Sequence, residues 1–121
     1  MFMGQPGIMD HGRMPMDFII REKWKSTFHM YITDTDAEID CISIRESLCA
    51  GCIPLISKFG VFENRDGIHY HFDKTPENYK KIAESIIALM RNDLLIEKCR
   101  EKMLSSPTIK TWEEIAKNWL K

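Results

Sequence analysis

Glu38 and Glu46 stand with seven residues between them, and Glu46 opens the run Glu46-Ser47-Leu48-Cys49-Ala50-Gly51-Cys52-Ile53-Pro54-Leu55-Ile56-Ser57. Either carboxylate alone reads as helix surface. Together, and in this setting, they can accept hydrogen bonds from two separate sets of hydroxyls. The spacing predicts a carboxylate at the start of a short helix and a second about two turns further on. Gly51 then ends the helix and Pro54 leads into a buried strand. A helix start can also hold an anion. The layout suits a ligand with hydroxyls at both ends and phosphate in the middle, as in a nucleotide-sugar. Eight helical steps span ~12 Å. That exceeds the ~5–10 Å between the carboxylates of a glycoside hydrolase.

Other residues could do chemistry, and each has a plainer reading. Cys49 and Cys52 have redox or zinc spacing. They fall at a helix C-terminus, where the dipole disfavours a thiolate, and no second cysteine pair completes a zinc site. Two small packed residues beside a cap glycine account for them, with a thiol oxidoreductase as a distant alternative. His69 and His71 share one face of a strand without an evident third ligand and read as polar surface. Asp34-Thr35-Asp36 reads as a solvated acidic loop with Asp36 near a helix start. No metal site is expected.

These residues need elements to position them. Residues 1–11 form a loose lead-in rich in Gly and Pro, and 12–121 form one domain, incomplete at its N-terminal side. A short helix runs from Asp17 to Lys25, with Phe18, Ile19 and Trp24 as apolar contacts. Thr27 to Thr33 is a strand on its aromatic and β-branched content. Asp40 is the expected N-cap of a helix from Cys41 to Ala50. Ile53 to Ser57 is a buried strand, Phe59 to Asp66 a loop, and Ile68 to Phe72 a third strand. Pro76 opens a helix running to Arg91, with Tyr79, Ile82, Ile86, Leu89 and Met90 at helical spacing. Asp93 caps a helix from Leu94 to about Leu104, which Ser105-Ser106-Pro107 breaks. Thr111-Trp112-Glu113-Glu114 is a capping box that starts a last helix with Trp112, Ile115, Trp119 and Leu120 inward. Strands separated by helices imply a parallel sheet with helical crossovers. The expected fold is therefore α/β, a partial Rossmann-like three-layer domain. An exposed apolar sheet edge near Phe28–Ile32 would favour self-association.

Bulk properties exclude some classes. The chain has 121 residues, 44% hydrophobic and 29% charged, which is ordinary for a soluble globular protein. With 17 Lys plus Arg against 18 Asp plus Glu, the net charge is -1 and nothing points to nucleic acid. No apolar run approaches the ~20 residues of a membrane span. The first residues lack the pattern of a signal peptide, so a cytoplasmic location with reduced thiols is expected.

From Gly12 onward the chain resembles the carboxyl half of the nucleotide-binding domain of two-domain (GT-B type) retaining glycosyltransferases with a Glu-x7-Glu motif. The likeness rests on Gly12-Arg13-Met14-Pro15, the strand at Phe28–Ile32, Glu38-x7-Glu46, Ala50-Gly51-Cys52-Ile53-Pro54-Leu55-Ile56, Asp66-Gly67-Ile68 and Trp112-Glu113-Glu114-Ile115-Ala116, in that order. It implies transfer of a sugar from a nucleotide-diphosphate donor to an unidentified acceptor, with no cofactor. Glu38 would be the catalytic-site carboxylate and hold a hydroxyl of the donor sugar. The amides of Ile39, Asp40 and Cys41 would sit near that sugar and the diphosphate. Glu46 would bind the ribose hydroxyls, and the backbone at Arg13 and Met14 would face the base. Where the family has an aromatic-glycine pair after the first glutamate, this chain has Ile39-Asp40. The family's phosphate-binding Arg and Lys and its acceptor domain lie upstream of the matched region. The resemblance therefore also admits a non-catalytic fragment that binds a nucleotide or nucleotide-sugar.

Overall fold

A computed structural model describes residues 5–34 and 40–121. The elements in order are α1 (Met16–Lys25), β1 (Phe28–Tyr31), α2 (Ile42–Ala50), β2 (Ile53–Ser57), a short 3-10 helix (Gly60–Asn64), β3 (Ile68–Tyr70), α3 (Pro76–Met90), α4 (Asp93–Leu104) and α5 (Trp112–Trp119). The strands form one parallel sheet in the order β1-β2-β3. The α/β class with a parallel sheet is what the alternation of strands and helices predicts. No helix among the described residues is long and apolar enough to cross a membrane.

The middle strand β2 is buried along its whole length. Its near-continuous apolar run is the pattern of a parallel strand covered on both faces. Ile44 and Leu48, one turn apart on α2, lie against it. Ile44 packs with Ile56 and Phe62, and Leu48 with Ile53 and with Met103 of α4. Each such burial contributes about 2 kcal/mol. Pro54 survives in a central strand for a geometric reason. The Ile53 amide donates to Thr27 O at 2.9 Å, so alternation turns the Pro54 nitrogen towards β3. The ladder to β3 starts only at the next residue, Leu55 opposite Ile68. The missing N–H therefore costs no sheet hydrogen bond.

Gly51 closes α2 in the left-handed conformation, φ 71°, as the sequence predicts. Arg100 of α4 donates from Nε to its carbonyl at 3.0 Å. The helix starts differ from expectation. Asp40 does not cap α2; Cys41 occupies the cap position with φ 51°, and no side chain caps the helix. Asn92, not Asp93, caps α4, its side chain accepting from the Leu95 amide at 3.1 Å. Asn92 stands one residue earlier, where its carbonyl oxygen can reach back over the first turn. The capping box at Thr111 and Glu114 forms as expected.

The apolar faces of the later helices are the larger correction. No residue of α3 is fully buried, and Tyr79 and Met90 are exposed. The helix leans on α4 and on the end of β3, where Ser85 Oγ lies 3.4 Å from Tyr70 Oη. Trp112, Trp119 and Leu120 are exposed rather than inward, and so are Ile19 and Trp24 on α1. Helical spacing identifies an apolar stripe, but not whether anything covers it.

Gly67 has φ 153°, and a Cβ there would stand 2.9 Å from Pro54 O and 3.1 Å from Ile56 Cδ1. Gly51 is also left-handed, but its added Cβ would meet nothing closer than 3.6 Å. Gly67→Ala should therefore cost about 3 kcal/mol, backbone strain plus overpacking. Gly51→Ala should cost about 1–2 kcal/mol, for strain alone. Urea unfolding of both variants checks this; equal costs would contradict it.

Candidate functional site

The turn from β1 into α2 carries the residues the motif singles out. Glu38 and Ile39 lie outside the described residues. Asp40 and Cys41 are described, and Cys41 is buried in the left-handed region. A non-glycine residue there costs about 1–2 kcal/mol, a strain that tends to gather at functional turns. It also interrupts the helix, so α2 starts at Ile42 and Glu46 lies one turn inside it. The first amides of α2 have no intrahelical carbonyl to bond.

The Asp40 carboxylate is held between two guanidinium groups. Arg45 Nε donates to Oδ1 at 2.7 Å, and Arg65 Nη2 donates to the same oxygen. Arg65 Nη2 also reaches Asp40 O at 3.2 Å, and Arg45 Nη1 donates to Thr108 O at 2.9 Å. Asp40 therefore ties its turn to α2, to the end of the 3-10 helix and to the segment before α5.

Glu46 is engaged from the other side. Lys23 of α1 is only 8% exposed. Its ammonium donates to Ser43 O at 2.7 Å, Ser43 Oγ at 3.0 Å and Glu46 Oε2 at 3.0 Å. Three donors meet three acceptors, which is what a buried ammonium requires. The network continues inward. Fully buried Ser47 donates to Ser43 O at 3.0 Å and sits 2.7 Å from His29 Nδ1 on β1. With the hydroxyl hydrogen on Ser43 O, Nδ1–H is the donor to Ser47 Oγ. Burial, and then the Lys23 charge, hold the His29 ring below its ordinary value of 6.5.

Two cavities meet across the Lys23–Glu46 pair. Gly12 and Met14 line a pocket of about 230 Å³ with Lys23 and His29. Asp40 and Glu46 line a groove of about 810 Å³. Arg13 is exposed and borders neither. The structure thus brings Asp40 and Glu46 together and puts Met14 on the far side of the ion pair. A smaller pocket of about 190 Å³ lies beyond the carboxyl ends of the strands, among Thr33, Ser57, Lys58 and His71, the usual ligand end of a parallel sheet. Asp34 there pairs with Lys74 at 2.5 Å, which holds its carboxyl below the usual range. Thr35 and Asp36 lie outside the described residues.

The cysteine and histidine candidates are placed as follows. Cys49 is exposed and Cys52 buried, and burial pushes the Cys52 thiol up, against a thiolate nucleophile. His69 Nε2 donates to Phe62 O at 2.7 Å. His71 lies just past the end of β3. Among the described residues no three His, Cys, Asp or Glu side chains gather as a metal site.

Sequence reasoning missed Lys23, His29, Arg45 and Arg65. One signal was available: Lys23 follows Ile20 by three residues, so the inward stripe of α1 passes through it. Arg45 is only five residues from Asp40, but Arg65 meets it through tertiary structure.

The depressed His29 value has a consequence for stability. A histidine that protonates less readily when folded favours the unfolded state once pH falls below the unfolded value near 6.5. Stability should be steady well above pH 6.5 and fall as the pH drops through about 6.5 and below, and His29→Gln should flatten that fall. Denaturation midpoints across the window check this; an unchanged slope in the variant would contradict it.

Compared with known proteins, the chain matches no family model, and no curated protein is significantly similar to it.

Proposed function

We propose that the chain is the nucleotide-sugar-binding portion of a GT-B type retaining glycosyltransferase, with its sheet part of a three-layer Rossmann-like domain. The reading rests on the ordered motif set around Glu38-x7-Glu46. The observation that carries it further is the state of Glu46. One of its oxygens, Oε2, is fixed by Lys23, while the side chain remains partly open to the groove it lines. A carboxylate held this way has lost its rotamer freedom before a ligand arrives, so ribose hydroxyls could bind without that ordering cost. The turn at Cys41 and the start of α2 would place the diphosphate at a helix N-terminus, where backbone N–H groups and the helix dipole favour an anion. Met14 lines the pocket on the other side of the Lys23–Glu46 pair, so a base facing Arg13 and Met14 would have to reach across that pair.

In this reading Glu46 accepts from the ribose and Glu38 from the donor sugar. Binding without transfer is the alternative, and a labelled-sugar transfer assay separates the two. Calorimetry with uridine, guanosine and adenosine diphosphates and their hexose conjugates tests the site itself. Glu46→Gln should weaken the bare diphosphate and the conjugate alike. The expected loss is about ten- to hundred-fold, from ~1.5–3 kcal/mol for a charged acceptor. Glu38→Gln should weaken only the conjugate. Equal effects of both variants on the bare diphosphate would overturn the roles. No binding of any conjugate by the unaltered chain would overturn the reading.

A further inference from the structure

The sheet has an open edge. Among the described residues no strand pairs with β1 on the side away from β2. The Ile53 amide bonds Thr27 O, so alternation turns the backbone of His29 and Tyr31 towards β2 and that of Phe28, Met30 and Ile32 outward. Outward N–H and C=O groups at alternate residues form a template that another extended chain completes.

Folded proteins guard such an edge with charges, proline or bulges. This edge lacks the residues for it. Ser26-Thr27-Phe28-His29-Met30-Tyr31-Ile32-Thr33 holds no Asp, Glu, Lys, Arg, Pro or Gly. The opposite edge is better guarded: β3 is one residue shorter and stands between Asp66-Gly67 and Asp73-Lys74. β1 is also bare on one face. His29 reaches Ser47 of α2, which places Met30 on the opposite face, where it is 60% exposed. Apolar surface continues past the strand. Phe28 shares a pocket with Phe18 and Ile19 of α1, and Met16 and Ile19 are exposed.

The strand is complementary to itself. Laid antiparallel on its own copy about Met30, it sets Phe28 opposite Ile32 on one face and His29 opposite Tyr31 on the other. An aromatic ring against a β-branched residue, and two rings together, are favourable cross-strand pairs, and no like charges meet. Phe28, Met30 and Ile32 fall at the hydrogen-bonded positions, where opposed residues exchange both backbone bonds. A two-fold joint of this kind closes on itself and joins two three-stranded sheets into one of six strands.

We propose that the protein forms a two-fold dimer through antiparallel pairing of β1 with the β1 of a second copy, centred on Met30. The joint uses neither Glu46 nor the groove that Glu46 lines, so it stands apart from the donor reading.

Sedimentation of the full chain, from micromolar to submillimolar concentration, tests this. A discrete monomer–dimer equilibrium is expected. Met30→Lys puts two like charges at the two-fold axis and should weaken the dimer about tenfold or more. Met30→Pro removes an outward N–H and none of the bonds to β2, so it should abolish the dimer and keep the fold, which circular dichroism checks. Hydrogen exchange on the unaltered chain locates the joint without a variant. Protection of the Phe28 and Met30 amides should rise with concentration, whereas the His29 and Tyr31 amides, bonded to β2, should be protected already in the monomer. A monomer at every concentration, an open-ended polymer, or a dimer whose Phe28 and Met30 amides stay unprotected would each overturn the proposal. So would a dimer that survives both Met30 variants; its loss on Trp119→Ala would then give the contact to the tryptophan face.

Discussion

A buried ammonium governs this structure. Lys23 has almost no contact with water, and a charge in that position is tolerated only when it is paired and fully hydrogen-bonded. Its three acceptors all come from one turn of α2, from Ser43 to Glu46. The register of α1 against α2 is therefore set by one side chain. Ser47, one turn on from Ser43, connects the same network to His29 on β1. Helix, helix and edge strand share a single polar seam. Apolar contacts between Leu48, Ile53 and Met103 supply the stability beside it; the seam supplies the alignment.

That alignment has a consequence for the candidate site. Glu46 is held by the seam on one side and faces the groove on the other. Asp40 is held in the same manner by Arg45 and Arg65. Both carboxylates are positioned by cations from separate elements. Such support keeps a polar site rigid, and it makes the two acids unlike ordinary surface carboxylates, which swing freely.

Much of the fold was legible because local signals agreed with one another. Ile53-Pro54-Leu55-Ile56-Ser57 could only be a buried strand, Gly51 could only end a helix, and Thr111 with Glu114 spelled a capping box. Asp40 misled because a good N-cap residue was placed by default at the helix start. Competition from nearby Arg45 and from Arg65 of a distant segment removed its carboxylate from that task. Trp24, Trp112 and Trp119 misled because periodicity identifies an apolar face without revealing whether anything lies against it. Lys23 was hidden by the opposite expectation, that a lysine on a short helix belongs in water. Of the site, Glu46 and its helix were legible; the cavity shared with Asp40, and the separation from Met14, depend on contacts distant in sequence.

The central claim is that Lys23 and Glu46 act as one unit that aligns α1, α2 and the site. A double-mutant cycle of Lys23→Met and Glu46→Gln, followed by urea unfolding, measures it most directly. Lys23→Met should cost about 3 kcal/mol, because it removes a buried donor from Ser43 and Glu46, and Glu46→Gln about 1 kcal/mol, because the amide oxygen still accepts from Lys23 but without the charge. The double variant should cost about as much as Lys23→Met alone, a coupling of about 1 kcal/mol. Additive costs with no coupling would contradict the account.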